Sequence, residues 1–241
     1  IKILFIIDAL SRGGKERRLV ELLKRLSNDK LFSCHLLILS NNIKYHEIYD
    51  LNIRIHILER KKKIDYSIFK SFYKLCGNLN PDLIHSCNSL ASFYALPTVI
   101  LRKIIFINAM ISTAPINLFL DKKVWLRAKL TFPFSDIIIS NSYEGLKSFN
   151  VSEDKGKCIH NGFDFNRVKN LNLSNYNYDE DKGKIIGMVA TFSDNKDYCT
   201  FVKSAENILR NKSNITFIAV GDGKNLKKIQ SLVSRKYLSN F

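Results

Sequence analysis

The sequence predicts an α/β protein with a parallel sheet in each of two halves, and three observations carry that prediction. Short apolar runs alternate with segments of helical period along most of the 241 residues. Two of those runs, Ile1–Ile7 and Ile185–Ala190, give way to a polar loop and then to an amphipathic helix, which is the rhythm of a βαβ unit. Glycine turns, Gly13-Gly14 and Gly221-Asp222-Gly223, follow strand-like runs in both halves. In such sheets ligands bind at the carboxyl ends of the strands.

Taken in order, Ile1–Ile7 is an apolar strand with one lysine, ending at Asp8. The next residues open a helix over 15–27, with Leu19, Leu22, Leu23 and Leu26 on one face. Strand, glycine pair and helix form a phosphate-cradling order, because glycines let backbone N–H groups approach an anion at a helix N-terminus. G-x-G-x-x-G is absent there, so the dinucleotide fingerprint is not met. Phe32–Leu39 and Ile53–Leu58 are the next strands, separated by a polar, loop-like stretch over 41–50. Arg60–Lys63 is a charge run, either a solvated turn or a membrane-surface contact. A helix over 65–77 follows, with Gly77 expected to cap it. Pro81–Ser86 is a strand, then come a helix over 89–101 and a strand over 103–109.

Leu118–Pro133 mixes Lys122, Lys123, Arg127 and Lys129 with Phe119, Trp125, Leu126, Leu130 and Phe132. That pattern fits a surface helix with its apolar face inward, or a basic amphipathic segment lying among lipid headgroups. Asp136–Ser140 is a strand, and Ser142 is placed to cap a helix over 143–149. Lys157–His160 then runs into Asn161-Gly162-Phe163-Asp164. Residues 166–183 are polar and aperiodic, as a linker is. The second half opens with the strand Ile185–Ala190 and a loop, Thr191–Lys196. Its helix is capped by Asp197 and carries Phe201, Val202, Ala205, Ile208 and Leu209 at helical spacing. The ammonium of Lys196 and the N-terminus of that helix would face the same anion. Ile215–Val220 is the second strand, and a helix over 225–235 follows the glycine turn. Expected domains are 1–165, complete, and 184–241, incomplete, joined by 166–183. Two strands and two helices leave the second with an open edge and an uncovered apolar helix face.

The segment GMVATFSDNKDYCTFVKSA, followed by FIAVGDG, resembles the start of the C-terminal domain in GT-B glycosyltransferases of the large retaining family 4. The N-terminal Gly13-Gly14-x-Glu16-Arg17, the strand PDLIHS and the segment CIHNGFD are similar to other parts of the same family. The resemblance implies a GT-B-like fold of two Rossmann-like domains. It implies transfer of a sugar, with retention, from a nucleotide-diphosphate sugar to a hydroxyl of a glycan or lipid-linked acceptor. Cell-surface polysaccharide synthesis is the setting it suggests. Gly13, Gly14, Lys196 and Thr191 would lie at the donor diphosphate, and Asn161, Gly162, Gly221 and Gly223 beside the donor and cleft. Glu16, His85 and Asn88 become acceptor-side candidates, although a histidine after an apolar strand is more often a hydrogen-bonded structural residue. Three departures bear on activity. Thr191 stands where the family carries an arginine, which removes one cation from the clamp on the leaving phosphate. The segment Asn108–Thr113 lacks the family's His or Arg, so no catalytic residue is carried across, and the paired-glutamate motif E-x7-E does not occur.

Composition narrows the alternatives. The chain is 46% apolar, enough for a sizeable core, yet no run of eighteen apolar residues exists, so a membrane span is not expected. It begins at Ile1, already inside a strand-like run and without Met, which suggests a trimmed or partial sequence and gives no signal peptide to read. Five scattered cysteines form no C-x-x-C, which fits a reducing cytoplasm and neither a metal site nor a disulfide framework. No metal or cofactor is expected. The net charge of +16 attracts phosphorylated substrates, anionic lipid or nucleic acid, or reflects a lysine-rich bias. No helix-turn-helix, zinc-ligand or RNP pattern supports nucleic acid, which is not expected as a partner. The expected partners are a nucleotide-diphosphate sugar, the acceptor and an anionic membrane surface, with the protein cytoplasmic and peripheral on the inner face. The competing expectation is a truncated, inactive remnant or a basic binding and assembly protein.

Overall fold

A computed structural model describes residues 1–115, 121–169, 183–194, 196–212 and 214–241. Its elements fall into two compact units, Ile1–Arg167 and Val168–Phe241. The first holds strands β1 (Lys2–Ile7), β2 (Ser33–Ile38), β3 (Arg54–Ile57), β4 (Leu83–Ser86), β5 (Ile105–Ile111), β6 (Ile137–Ser140) and β7 (Gly156–Cys158). They form one parallel sheet in the order β3-β2-β1-β4-β5-β6-β7. Helices α1 (Gly14–Leu26), α2 (Tyr66–Leu79), α3 (Ser89–Arg102), α4 (Lys122–Thr131), α5 (Tyr143–Ser148) and α6 (Asn166–Lys169) accompany them. Strand order reverses between β1 and β4, which makes their carboxyl ends the switch point at which such sheets bind ligands.

The alternation of β1 explains the layering. Leu4 and Ile6 face α2 and α3, where Phe72, Cys76, Tyr94 and Val99 complete one core. Ile3, Phe5 and Ile7 face α1, where Leu19, Val20 and Leu23 complete the other. Both faces of the strand are therefore apolar, as a covered parallel strand requires. Beyond β4 a buried polar network replaces part of the core. Asn108 accepts from Ser92 Oγ at 2.9 Å and donates to Thr131 and Ser135 at 3.0 and 3.2 Å. Every member is partnered, so its burial carries no desolvation penalty of an orphaned group. Asn108 is thus a structural hub linking α3, β5 and α4.

The second unit holds β8 (Lys184–Val189), α7 (Tyr198–Leu209), β9 (Ile215–Val220) and α8 (Leu226–Gln230). Its two strands pair in parallel. Phe217 and Ile215 pack on Ala205 and Leu209 of α7, whereas Ile185, Val189, Ile218 and Val220 are exposed.

Several elements differ from the expectations above. Helix α2 runs past Gly77 to Leu79 and is closed by Asn80 in the left-handed region (φ 48°). Asparagine tolerates that conformation without glycine's freedom. Gly77 instead gives room to the Arg102 guanidinium, which stacks 4.0 Å over the Tyr73 ring. Lys103 is the left-handed cap of α3, so β5 begins later, at Ile105, and runs to Ile111. The stretch over 41–50 contains a 3-10 helix, His46–Asp50. The last helix is short, and a 3-10 turn, Arg235–Asn240, follows it. The expected linker begins with the helical turn Asn166–Lys169; its residues 170–182 lie outside the described residues, as do Leu118, Phe119 and Leu120 of the basic segment.

Candidate functional site

At the switch point the end of β1 delivers Asp8 and the end of β4 delivers Asn88. The Asn88 amide donates to Asp8 Oδ1, while its own oxygen caps α3 by accepting from Ala91 N at 2.9 Å. Asp8 Oδ1 also accepts from Lys15 Nζ at 3.0 Å, and Lys15 lies 3.6 Å from Glu16. Glu16 is buried, and its carboxylate lies over Gly13, where a Cβ has no room. That acid sits in the first turn of α1, where it counters the helix dipole. Tyr45 holds the loop from the other side, its hydroxyl donating to Gly13 O at 3.1 Å. Gly14 meets nothing within 4 Å. Of the five residues at this centre, Gly13, Glu16 and Asn88 were readable from sequence; Asp8 and Lys15 were not singled out, although a carboxylate closing the first strand was the available signal.

Beside it, a groove of about 680 Å³ runs along α1 and over the strands from β4 to β7. Its walls include Lys15 and Arg18 from α1, and its floor includes Ala109, Ile139 and Ile159. Asn161 and Gly162 line the far wall, and Asn161 accepts from Arg18 at 2.9 Å across 143 residues of sequence. His85 opens onto the groove with its ring packed on Phe5 at 5.1 Å. Burial depresses its pKa to about 4, so it is a neutral imidazole at pH 7. Cys87 nearby is pushed up to about 12 by burial and stays a thiol. A neutral histidine can donate a hydrogen bond to an acceptor hydroxyl or accept one from it, but it brings no charge to an anion.

In the second unit, Thr191 and Lys196 are exposed on the loop between β8 and α7. That loop is fixed from within. Tyr198 is fully buried, stacks on Phe192 at 3.9 Å, and donates its hydroxyl to Ala190 O at 2.7 Å. Asp197 caps α7 through Thr200 N at 2.9 Å, and hydrogen bonds from the Thr200 side chain and then its backbone hold the carboxyl below the usual range. Asp194 is committed to Lys224 and to Asn225 at 2.7 Å. Lys196 has no side-chain partner among the described residues. Gly221 and Gly223 bring the turn after β9 against the same loop, where Phe192 N donates to Asp222 O at 2.9 Å. Among the described residues no group of three or more His, Cys, Asp or Glu could hold a metal ion.

No protein-family model matches the chain, and no curated protein matches its sequence. Solved structures do resemble it. HepE of Anabaena, solved with UDP and glucose, aligns with 99% of this chain and 67% of its own at TM-score 0.73 and 16% identity. WaaB, a lipopolysaccharide outer core galactosyltransferase in apo form, aligns over 96% and 64%, at 0.69 and 15%. The UDP-GlcNAc 2-epimerase of Neisseria meningitidis, bound to UDP-GlcNAc, aligns over 97% and 69%, at 0.65 and 13%. The fold is therefore the Rossmann-like α/β build of GT-B proteins. The chain spans about two thirds of the length of these structures.

Proposed function

We propose that this chain belongs to a retaining glycosyltransferase that moves a sugar from a nucleotide-diphosphate sugar to a hydroxyl of a glycan or lipid-linked acceptor in cell-surface polysaccharide synthesis. The observation that carries the reading is Lys196, an exposed cation without a partner among the described residues, beside the capped N-terminus of α7 on a loop held in place by Tyr198. Ammonium and helix terminus together stabilise charge that grows on a departing diphosphate. Residues 184–241 would belong to the donor domain and 1–165 to the acceptor domain, with 166–183 as linker. Gly13, Gly14, Gly221 and Gly223 would bring backbone close to the donor. Glu16, His85 and Asn88 would serve the acceptor, with Asn161 and Gly162 at the cleft. Uridine diphosphate is the donor part to test first, since it accompanies HepE and, within UDP-GlcNAc, the Neisseria epimerase.

Titration of UDP onto the chain is expected to saturate, and Lys196→Ala to weaken binding about tenfold or more, the loss of one charge-assisted contact. In a protein carrying the whole donor domain, the same substitution should lower transfer about a hundredfold. Near wild-type transfer in that variant would refute the role. A second reading, an inactive remnant or a basic binding protein, is favoured by Thr191, which leaves Lys196 as the one cation on this loop among the described residues. Absence of any UDP binding selects it.

No helix of the described residues is long and apolar enough to cross a membrane. Peripheral binding at an anionic inner face is part of the proposal. It rests on α4, where Leu126 and Leu130 are exposed beside Lys122, Lys123 and Lys129. Co-sedimentation with anionic liposomes at low salt should be abolished by Leu126→Asp with Leu130→Asp; retention of binding by that variant would remove α4 from the account.

A further inference from the structure

The groove beside α1 is lined by cations whose charge is already answered. Lys15 lies 3.0 Å from Asp8, Lys24 lies 3.0 Å from Glu47, and Arg18 donates to Asn161 Oδ1 at 2.9 Å. Arg25, in the last turn of the helix, is the lining cation left over among the described residues.

What the groove presents instead is a set of polar groups with one hydrogen-bonding function spent and another open. Asn161 gives its oxygen to Arg18 and keeps both amide hydrogens. Asp164 Oδ1 accepts from Asn166 N at 3.0 Å, which leaves Oδ2. His160 Nδ1 lies 3.1 Å from Asn141 O; a carbonyl only accepts, so in the neutral ring Nε2 is left as an acceptor. The ring nitrogens of His85 have no hydrogen-bond partner among the described residues. Donors and acceptors thus stand side by side, and the group that meets both is a hydroxyl.

Apolar surface lies among them. Ala109 and Ile139 floor the groove, and Phe163 on the far wall is 54% exposed, its ring crossed by Phe165 at 5.3 Å and 75°. From β4, which carries His85, to β7, which leads into His160, is three strand spacings, about 14 Å. An exposed aromatic ring beside mixed donors and acceptors fits a ligand with polar edges and an apolar face. A phosphate would need free cations, and an acyl chain would leave His85, Asn161 and Asp164 unpaired.

We propose that the groove from His85 to Asp164 binds a neutral oligosaccharide, with a sugar ring packed on Phe163 and hydroxyls held by His85, His160, Asn161 and Asp164. The acceptor role of this site rests on the glycosyltransferase reading, and there it makes the acceptor a glycan recognised through its sugars. Sugar binding itself does not depend on that reading.

Saturation-transfer NMR on the 241-residue chain tests the site, with maltotetraose, cellotetraose and chitotetraose as sugar probes and farnesyl phosphate as the lipid phosphate probe. At least one tetrasaccharide is expected to saturate, and Phe163→Ala to weaken it about fivefold or more, the loss of one ring contact. Phe163→Tyr should keep the affinity, and Tyr49→Ala, which removes an exposed aromatic ring outside the groove, should leave it unchanged. Melting temperatures of all three variants should match the wild type. A fall confined to Phe163→Ala makes that ring structural and overturns the proposal. Failure of every sugar to saturate, or equal affinity in Phe163→Ala, overturns it too. So does binding of farnesyl phosphate in place of the sugars with the same dependence on Phe163. UDP titration of the same samples reports on the second unit. Sugar binding without UDP binding therefore removes the transferase reading alone, and UDP binding without sugar binding removes this inference alone.

Discussion

Between pH 6.5 and about 4 the seven-stranded unit is expected to lose several kcal/mol of stability, with His35 and His85 as the main sources. His35 is 2% exposed on β2, and its Nδ1 lies 3.1 Å from Nε2 of His56 on β3. Burial, then the neighbouring His56, Arg54 and Lys2, depress its pKa to about 4; burial alone does the same for His85. His56 is lowered too, by burial and by Arg54. In the unfolded chain all three titrate near 6.5 and so bind more protons there than the folded protein does. Stability is therefore full above pH 6.5 and declines as the pH falls toward the folded values. Each pKa unit corresponds to about 1.4 kcal/mol, which gives roughly 3 kcal/mol each for His35 and His85. The paired rings add a limit, because one of the facing nitrogens must accept, so a doubly charged pair cannot keep its hydrogen bond. Denaturant midpoints measured across this range should fall steadily in the wild type and more shallowly in His35→Gln. A flat profile, or one that starts to fall only below pH 4, would point to carboxylates such as Glu47 and Asp65 instead.

The same histidines show what the sequence could and could not disclose. That PDLIHS is a strand followed by a helix is written in its apolar run and in the residues after it. Whether His85 serves chemistry or the core depends on Phe5 and on the groove wall, neither of which lies near it in sequence. Local signals survived well. Asp197 and Ser142 cap the helices they precede, since a cap needs only the next turn. Gly77 misled for the opposite reason: its small size answers to Arg102, on the neighbouring helix, and Asn80 does the capping. Asn88 carries both kinds of signal. As a helix cap it is local, but its bond to Asp8 spans 80 residues and exists only because β1 and β4 are neighbours in the sheet. The Arg18–Asn161 contact belongs to the same class. Alternation fixes that strands are parallel and covered; it does not rank them in the order that brings these side chains together.

In the second unit the expected effect of one added methyl group is large. Gly221 and Gly223 have φ values of +152° and +151°, a region closed to residues with a Cβ. A Cβ at Gly221 would run into the carbonyl oxygen of Ala190, and at Gly223 into that of Phe192. These obstacles are backbone, and they belong to the loop that carries Thr191 and Lys196. To relieve either clash, the turn after β9 must part from that loop. This breaks the bonds from Phe192 N to Asp222 O and from Asn225 N to Phe192 O, 2.9 and 3.1 Å. Strain and lost bonds together should cost about 3 to 5 kcal/mol for Gly221→Ala or Gly223→Ala. A unit whose described residues hold two strands, α7 and the short α8 has little stability in reserve. Hydrogen exchange should then show β8, α7 and β9 losing protection while β1, β2 and β4 keep theirs. Gly14→Ala serves as the contrast, since nothing lies within 4 Å of its added carbon and a first-turn alanine favours the helix. If Gly221→Ala left exchange in the second unit unchanged, the loop would have to tolerate displacement. Lys196 would then not be rigidly presented, and the case for it as a preorganised diphosphate contact would fall with the glycine.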